Sequence, residues 1–457
     1  MAEVTMTLQK TVEKLFAEQK YATVRDILTT MNAADVAALF QLLDTDRLPV
    51  LFRLLPKELA AETFVEMEPE EQEMLIRGFS DTELSAVINE LYVDDAVDLV
   101  EEMPANVVRR ILAQADPDMR QQINELLQYP EDSAGSIMTT EYVSLRPEMR
   151  VEEAIARIRA TGVDKETIYT CYVTEGRFLR GIVTAKALLL SDGQKKISDL
   201  MEDHVISVRT TTDQEEVALL LRKYGFLALP VVDNEERLVG IVTVDDAMDV
   251  IQEEATEDIE IMAAMTPSEK PYLRTSVWDI FLHRIPWLLL LMISATFTGI
   301  IITNFETALA AQVALVGFIP MLMDTGGNSG SQASVTVIRG LSLQEISFRD
   351  LPRVLWKEAR VSVLCGVVLA AACFAKIMLV DRLLMGNADI TLMVALTVCL
   401  TLCLTVLAAK CIGCVLPMLA QRAGFDPAVM ANPAITTVVD ALSLLAYFTV
   451  ATALLGL

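Results

Sequence analysis

The chain has 457 residues, enough for several domains, and a formal net charge of −26. Residues 1–270 carry 26 Lys and Arg against 53 Asp and Glu, whereas residues 271–457 carry 11 against 10. The acidic first part argues against nucleic acid as a partner, because phosphate neutralisation needs basic surface, and it favours cations.

Residues 8–129 are expected to form short amphipathic helices, because apolar residues recur there at helical spacing. Helix starts are predicted at Asp81, Pro104 and Pro117. The helical segments resemble one another loosely, which favours a stack of helix pairs. We therefore predict an all-α N-terminal domain over residues 1–133.

One acidic run in this domain is dense enough to suspect a bound cation. It comprises Asp94, Asp95 and Asp98, whereas most other acidic residues of the domain are expected on a solvated surface. The first ten residues lack the pattern of a secretory signal peptide, in which a positively charged region is followed by an apolar one. We therefore expect the soluble domains to stay in the cytosol.

An internal repeat follows, and it predicts a two-copy α/β domain over residues 136–252. G-I-V-T at 181–184 returns at 240–243, and the stretch from Met138 returns from Met201. Each copy is predicted to contain strand, helix, strand, turn, strand and helix. The two copies resemble a pair of CBS motifs, which implies a ligand-sensing module.

The CBS resemblance also implies a candidate nucleotide site. Thr243 and Asp246 fit the T-x-x-D pattern whose side chains contact ribose in such modules. The first copy has Thr184 but Ala187 in place of the aspartate. ATP is therefore a candidate cofactor of the second copy only.

Residues 253–283 are predicted to connect the CBS pair to the membrane through an acidic helix. Acidic charge beside a membrane is unusual, because cytosolic segments there are commonly basic. The carboxylates repel one another unless divalent cations bridge them to other domains, and a solvated face is the alternative. With the run near Asp94, the candidate gating residues are Asp246, Asp249, Glu253, Glu254, Glu257 and Asp258.

The remaining residues, 284–457, are predicted to form a five-helix transmembrane domain, making the chain a multidomain membrane protein. The five spans, each near the roughly 20 residues needed to cross a bilayer, are 285–304, 309–338, 361–380, 390–414 and 429–457. A break or bend is expected at Pro320. Basic residues between spans two and three place that loop, and the N-terminus, in the cytosol, with the C-terminus outside the plasma membrane.

Several unusual residues of the spans have a packing interpretation. Lys376 and Lys410 lie toward span ends, and their ammonium groups are expected to extend to the water at the membrane surface. The C-I-G-C run at 411–414 resembles a metal or redox spacing, but no histidine lies nearby, so packing is favoured. No nucleophile–base pair and no phosphate-binding loop supports an enzyme or an ATP-driven pump.

Polar residues at membrane depth indicate an ion pathway. Asn328 and Gln332 lie one helical turn apart on the second span. Asp440 is the only charge of the fifth span, and a lone carboxylate there needs a proton, a partner or a cation. Oxygen groups of this kind suit a hard cation, and Mg²⁺ in particular prefers one or two carboxylates while it keeps several waters.

Two stretches resemble the MgtE-type magnesium channel family. They are P-M-L-M-D-T-G-G-N-S-G-S-Q at 320–332, followed by V-I-R-G-L, and A-N-P-A-I-T-T-V-V-D at 431–440. The resemblance implies a homodimer with its pathway along spans two and five. The pathway residues it implies are Pro320, Gly327, Asn328, Gln332, Asn432, Pro433, Thr437 and Asp440. Asp324, and Ser443 where glycine is expected, depart from the family pattern.

These observations predict a magnesium channel for Mg²⁺ uptake that closes when cytosolic Mg²⁺ neutralises the acidic domains and draws them together. Two alternatives remain. One is a transporter of another divalent cation, such as Co²⁺ or Mn²⁺. The other is a membrane-anchored CBS sensor that regulates a partner protein, although an anchor needs neither Asp440 nor the polar face of the second span.

Overall fold

The computed structural model describes residues 2–268, 272 and 275–456, with side chains outside this description at 2–6, 164, 307, 308 and 432. The chain divides into two units, Met1–Ile251 and Gln252–Leu457. The predicted connecting segment, 253–283, lies in the second unit, and its residues 269–271, 273 and 274 lie outside the described residues.

The first unit begins with helices whose apolar sides share one core. The helices are α1 (Ala2–Ala17), α2 (Tyr21–Leu28), α3 (Ala33–Gln41), α4 (Leu48–Phe52), α5 (Lys57–Val65), α6 (Pro69–Gly78), α7 (Asp81–Ile88), α8 (Val93–Glu102), α9 (Ala105–Gln114) and α10 (Pro117–Leu126). The three predicted helix starts are confirmed: α7 begins at Asp81, α10 begins at Pro117, and Pro104 immediately precedes α9. Ser80 caps α7 by accepting a hydrogen bond from the Glu83 backbone.

The repeat forms two small sheets with the predicted order of elements in each copy. The first copy contains β1 (Tyr142–Leu145), α11 (Val151–Thr161), β2 (Thr167–Glu175), β3 (Phe178–Thr184) and α12 (Ala185–Leu190). The second contains β4 (Val208–Arg209), α13 (Gln214–Tyr224), β5 (Ala228–Val232), β6 (Leu238–Thr243) and α14 (Val244–Met262). In each sheet the central strand is parallel to the first strand and antiparallel to the third.

The core of the helical domain continues into the second repeat. Leu229 of β5 and Val242 of β6 belong to the same buried cluster as Ile123 and Leu126 of α10. The first repeat has a separate core, which includes Leu145. The second repeat is therefore the one that the helical domain packs against.

The membrane part of the second unit is helical. Its helices are α15 (Val277–Asn304), α16 (Glu306–Ala311), α17 (Ile319–Ser342), α18 (Leu351–Lys376), α19 (Leu392–Arg422) and α20 (Asn432–Leu455). A π-helical turn, Ile377–Leu384, extends α18. In the described part of the chain, four stretches are long and apolar enough to cross a membrane: Val277–Asn304, Phe348–Leu384, Leu392–Arg422 and Pro427–Leu455.

The predicted second span, 309–338, differs from the other four. The chain breaks just before Pro320, as predicted, so that α16 and a 3-10 turn, Val313–Phe318, precede α17. Helix α17 is not among the four apolar stretches. The physical reason is its composition, because glycine, serine and amide residues replace the apolar ones.

Glycines bring α17 close to its neighbours. A Cβ atom added at Gly413 of α19 would lie 2.3 Å from the Gly330 carbonyl oxygen. One added at Gly326 would lie 2.9 Å from the Ser443 hydroxyl oxygen of α20. Small residues at these positions therefore let the backbones of α17 and α19 touch and let a side chain of α20 reach the backbone of α17.

The prediction that Lys410 reaches outward is wrong. Its side chain is buried, 5 % exposed, and its Nζ lies 3.5 Å from Glu358 Oε2 on α18. A neighbouring helix offers a carboxylate at the same depth, so the ammonium pairs inside the bundle. Lys376 is half-exposed and pairs with Asp381 at 2.8 Å. Cys414 of the C-I-G-C run packs in a small apolar core with Ala333 and Val337.

Candidate functional site

One face of α17 is polar and exposed. Asp324, Asn328 and Gln332 lie on successive turns of the helix and all three are exposed, as is Pro320 in its first turn. Gly326 and Gly330, which point elsewhere around the helix, are buried against α19 and α20. The predicted common face of Asn328 and Gln332 is therefore present, and Asp324 extends it by one turn.

Asp440 lies on the neighbouring helix, α20, and is half-buried. The carboxylate of Asp324 is close enough for its charge to act on Asp440. Gly327 lets α20 approach, because a Cβ there would lie 3.1 Å from Thr436 Cγ2. Asp324 and Asp440 therefore lie near each other on two helices, and the two amides follow Asp324 on the next turns of α17. Asp324 was noticed in the sequence as a departure from the family pattern and was not assigned to the pathway.

The first turn of α20 supplies further oxygen atoms. The Pro433 carbonyl accepts hydrogen bonds from the Thr436 and Thr437 hydroxyls, each at 3.0 Å. Their protons are used in these bonds, so the hydroxyl oxygens keep lone pairs for another donor or a cation. Thr437 also lies 3.5 Å from the Ser294 hydroxyl of α15. The Asn432 side chain lies outside the described residues.

A second acidic group lies in the first unit, where α8 lies beside both repeats. Asp94 is 8 % exposed, and its Oδ1 has no hydrogen-bond partner among the described residues. Burial raises the pKa of Asp94 well above its usual range, and the Asp246 carboxylate adds to the effect. Burial also raises the pKa of Asp95 to about 7 and that of Asp98 to about 8.

Asp246 therefore lies close to the carboxylates of α8. Burial raises its pKa, against hydrogen bonds from the Thr243 hydroxyl and backbone N–H that favour the ionised form. Asp249, one turn later on α14, also has a pKa raised by burial and by Asp245. The structure thus brings together the acidic run of α8 and the start of α14, which are distant in sequence.

Glu166, just before β2, is a member of this group that the sequence analysis missed. Its pKa is raised to about 7, mainly by burial and further by the negative charges of Asp246 and Asp245. Its Oε2 has no hydrogen-bond partner in the described ranges. No spacing rule links Glu166 to α8 or α14, so only the tertiary fold reveals it.

The acidic group is not a preformed metal centre. No three His, Cys, Asp or Glu side chains in the described part of the chain are placed to hold a metal ion. The donors are nevertheless of the right kind for Mg²⁺, because they are carboxylate oxygens, and those of Asp94 and Glu166 include a buried oxygen without a hydrogen-bond partner among the described residues. An ion would have to draw these carboxylates closer together.

The end of α14 covers one end of the membrane helices within the second unit. Ile261 and Met262 pack against an apolar cluster of Ile338 on α17 with Ala428 and Ala431, which precede α20. The other predicted gating residues, Glu253, Glu254 and Glu257, lie on the same helix.

Asp258 marks a third acidic contact, also inside the second unit. Burial raises its pKa to about 6, and the charges of Asp426 and Glu254 add to this, while a hydrogen bond with Ser342 opposes it. Asp426, in the loop before α20, was not predicted. Its contact with Asp258 arises only because α14 packs against that loop.

Comparison with known proteins identifies the family. Residues 319–450 match the family described as a divalent cation transporter, MgtE, residues 11–132 match the MgtE intracellular N domain, and 134–191 and 197–253 match CBS domains. The chain is 37% identical to the magnesium transporter MgtE of Thermus thermophilus over 98% of both chains. The chain belongs to the MgtE family.

Other MgtE proteins agree with this assignment. The magnesium transporter MgtE of Bacillus subtilis is 34% identical over 96% of this chain and 95% of its own length. A crystal structure of the cytosolic domain of the Mg²⁺ channel MgtE in complex with ATP matches with a TM-score of 0.51 and 37% identity, covering 53% of this chain and 99% of that one. The soluble part of a magnesium transporter matches with a TM-score of 0.52 and 30% identity, covering 55% and 99%.

Proposed function

We propose that this MgtE protein is a magnesium channel that takes up Mg²⁺ as a homodimer. The observation that carries the proposal is the exposed polar face of α17 beside Asp440. A polar face at membrane depth is costly in contact with lipid, so it needs a wet cavity or a protein partner. In a two-fold dimer, two such faces enclose a polar pathway, with the N-terminus of each chain in the cytosol and the C-terminus outside.

The chemistry of this face fits a hydrated divalent ion. Carboxylates repel one another, and a divalent cation relieves this repulsion better than a monovalent one. Asn328 and Gln332 offer amide groups that hydrogen-bond to the water shell which Mg²⁺ keeps. Soft ligands do not occur among the proposed pathway residues Pro320, Gly327, Asn328, Gln332, Asn432, Pro433, Thr437 and Asp440.

Ion flux into proteoliposomes tests the pathway. We expect Asp440→Asn and Asp440→Ala to abolish most Mg²⁺ flux, because each removes the charge that compensates the ion. Asp389→Asn is the matched control, since Asp389 is an exposed carboxylate between α18 and α19. Undiminished flux in a folded Asp440 variant would refute the pathway. Co²⁺ or Mn²⁺ flux in preference to Mg²⁺ would favour the alternative cation.

We further propose that cytosolic Mg²⁺ closes this channel. Asp94, Asp95, Asp98 and Asp246, with Asp249 nearby, would share ions whose binding favours the compact state of the acidic domains. Burial raises the pKa of Asp94, Asp95 and Asp98, and the like charge of neighbouring carboxylates adds to the effect, which supports this proposal. Glu253, Glu254, Glu257 and Asp258 extend the acidic surface along α14 toward the apolar contact of Ile261 and Met262.

Limited proteolysis tests this gating proposal. Cleavage of the soluble domains in the full-length protein is expected to slow as Mg²⁺ is added, since ion binding would compact them. The double variant Asp95→Asn/Asp98→Asn should respond less, whereas Asp26→Asn, an exposed residue of α2, should respond like the parent protein. Cleavage that ignores Mg²⁺ in the parent protein would contradict the proposal.

ATP binding at the second CBS repeat is a second candidate function. The Thr243 and Asp246 side chains are joined by a hydrogen bond at the start of α14, and the similar cytosolic domain was crystallised with ATP. We expect labelled ATP to bind in equilibrium dialysis and Asp246→Asn to weaken it. No binding near millimolar ATP would end this proposal.

A further inference from the structure

Three sulfur-containing side chains from three helices lie close together in the membrane domain. Cys373 Sγ lies 3.8 Å from Met321 Sδ. The Cys399 thiol donates a hydrogen bond at 3.4 Å to the carbonyl oxygen of Ala370, one turn before Cys373 on α18, and all three sulfur-containing side chains belong to one apolar cluster. Met321 is the third residue of α17, Cys373 lies in the last turn of α18, and Cys399 is the eighth residue of α19. The three positions are far apart in sequence and share no motif.

The spacing suits a metal ion bound by sulfur. Two sulfur ligands about 2.3 Å from a tetrahedral metal ion lie about 3.8 Å from each other. The distance between Cys373 Sγ and Met321 Sδ has this value before any ion is bound. Thiolate and thioether sulfur are soft donors, which select soft ions and discriminate against Mg²⁺.

The surroundings restrict the charge of the bound ion. Cys373 and Cys399 are 7 % and 8 % exposed and belong to an apolar cluster with Leu322 and Val398. An uncompensated charge is costly in such a place. A divalent ion with two thiolates and a neutral thioether has no net charge, so burial does not oppose it. The half-exposed Lys376, one turn beyond Cys373, shows that the cluster lies near the protein surface.

We propose that Met321, Cys373 and Cys399 form a binding site for a soft divalent metal ion. On binding, both S–H bonds break and two protons pass to water, while the two thiolates and the Met321 thioether each form one bond to the metal ion, with no change of oxidation state. The ion would tie α17, which carries Asp324, to α18 and α19. The site is independent of the proposed Mg²⁺ pathway, because its ligands are sulfur atoms and two of them are buried.

Cadmium titration of the full-length protein in detergent tests the site. The thiols are reduced, the reductant is removed under argon, and CdCl₂ is added while the ultraviolet thiolate-to-cadmium charge-transfer band is recorded. The test background keeps Cys373 and Cys399 and replaces the other five cysteines by serine. The matched control background keeps Cys403 and Cys411 instead, two cysteines that lie about two turns apart on α19 and so cannot share one ion.

We expect the test background to bind one Cd²⁺ per chain and to lose the band with Cys373→Ser. Met321→Leu, which conserves volume and should leave the fold intact, is expected to weaken Cd²⁺ binding at least about tenfold, the scale of a lost supporting ligand. Equal binding by the control background would show unspecific thiol binding and overturn the proposal. Unchanged affinity in Met321→Leu, or no band in a test background that elutes as folded protein, would overturn it as well.

Discussion

Lys410 of α19 and Glu358 of α18 form an ion pair inside the membrane domain, with Nζ and Oε2 3.5 Å apart. Both side chains are largely removed from solvent, at 6 % and 15 % exposure. Each charge therefore depends on the other for compensation, which is a stronger dependence than an exposed pair has.

Replacing Lys410 by Met should destabilise the protein by about 3–5 kcal/mol, because Glu358 is left buried without its partner. The double variant Lys410→Met/Glu358→Leu should recover most of this loss, since no charge remains. Thermal unfolding in detergent measures both. Lys376→Met is the control, because the Lys376–Asp381 pair is more exposed and is expected to contribute at most about 1 kcal/mol. A double variant as unstable as Lys410→Met would contradict this explanation.

Stability in the absence of Mg²⁺ should fall as the pH rises. Burial raises the pKa of Asp95 to about 7 and of Asp98 to about 8, from an ordinary value of 3.8. Between the ordinary and the raised values the folded state binds more protons than the unfolded state, so the free energy of unfolding decreases with increasing pH. Above pH about 8 the decrease should level off.

Mg²⁺ should therefore stabilise the protein more at pH 8 than at pH 6, since protons and ions compete for the same carboxylates. Melting temperatures of the full-length protein with and without Mg²⁺ at both pH values provide the measurement. The Asp95→Asn/Asp98→Asn variant should lose most of the pH dependence, while Asp26→Asn should keep it. Equal stabilisation at both pH values in the parent protein would count against a shared site.

Weakening the contact between α14 and the membrane helices should increase Mg²⁺ flux under closing conditions. Met262 packs against Ile338, Ala428 and Ala431, so Met262→Ser removes apolar contact and favours the state in which α14 has left this end of α17 and α20. The control is Ile259→Ser on the same helix, because Ile259 is 64 % exposed. Flux is measured in proteoliposomes with high Mg²⁺ on the cytosolic side. Equal flux in the two variants would mean that this contact does not close the pathway.

A single methyl group at Gly413 should disrupt the membrane domain. The added Cβ would lie 2.3 Å from the Gly330 carbonyl oxygen, and backbone atoms cannot rotate away as a side chain can. We expect Gly413→Ala to destabilise by about 1–3 kcal/mol, the range for overpacking. Gly299→Ala on α15 meets nothing within 4 Å and should be neutral. Thermal unfolding compares them, and an equally stable Gly413→Ala protein would show that the helices separate easily.

The sequence predicted local and periodic features well. The starts of α7 and α10, the repeated strand order and the break before Pro320 all follow from backbone chemistry within a few residues. The common face of Asn328 and Gln332 follows from helical spacing alone. These features need no knowledge of what packs against them.

Features that depend on contacts between distant segments were missed. Lys410 was expected to reach outward because its partner, Glu358, lies 52 positions away on another helix. Glu166 joins Asp94 and Asp246 only after α8 packs on the CBS repeats. Met321, Cys373 and Cys399 lie on three helices, so no spacing along the chain could have grouped them.

The low apolarity of α17 has a consequence for insertion of the chain into the membrane during synthesis. The helices that accept its glycine face, α19 and α20, follow it in the chain, and α17 itself is not among the stretches apolar enough to cross a membrane. During synthesis α17 therefore reaches the insertion machinery before the helices that shelter it exist. We therefore expect α17 to enter the bilayer together with α19 and α20 rather than on its own.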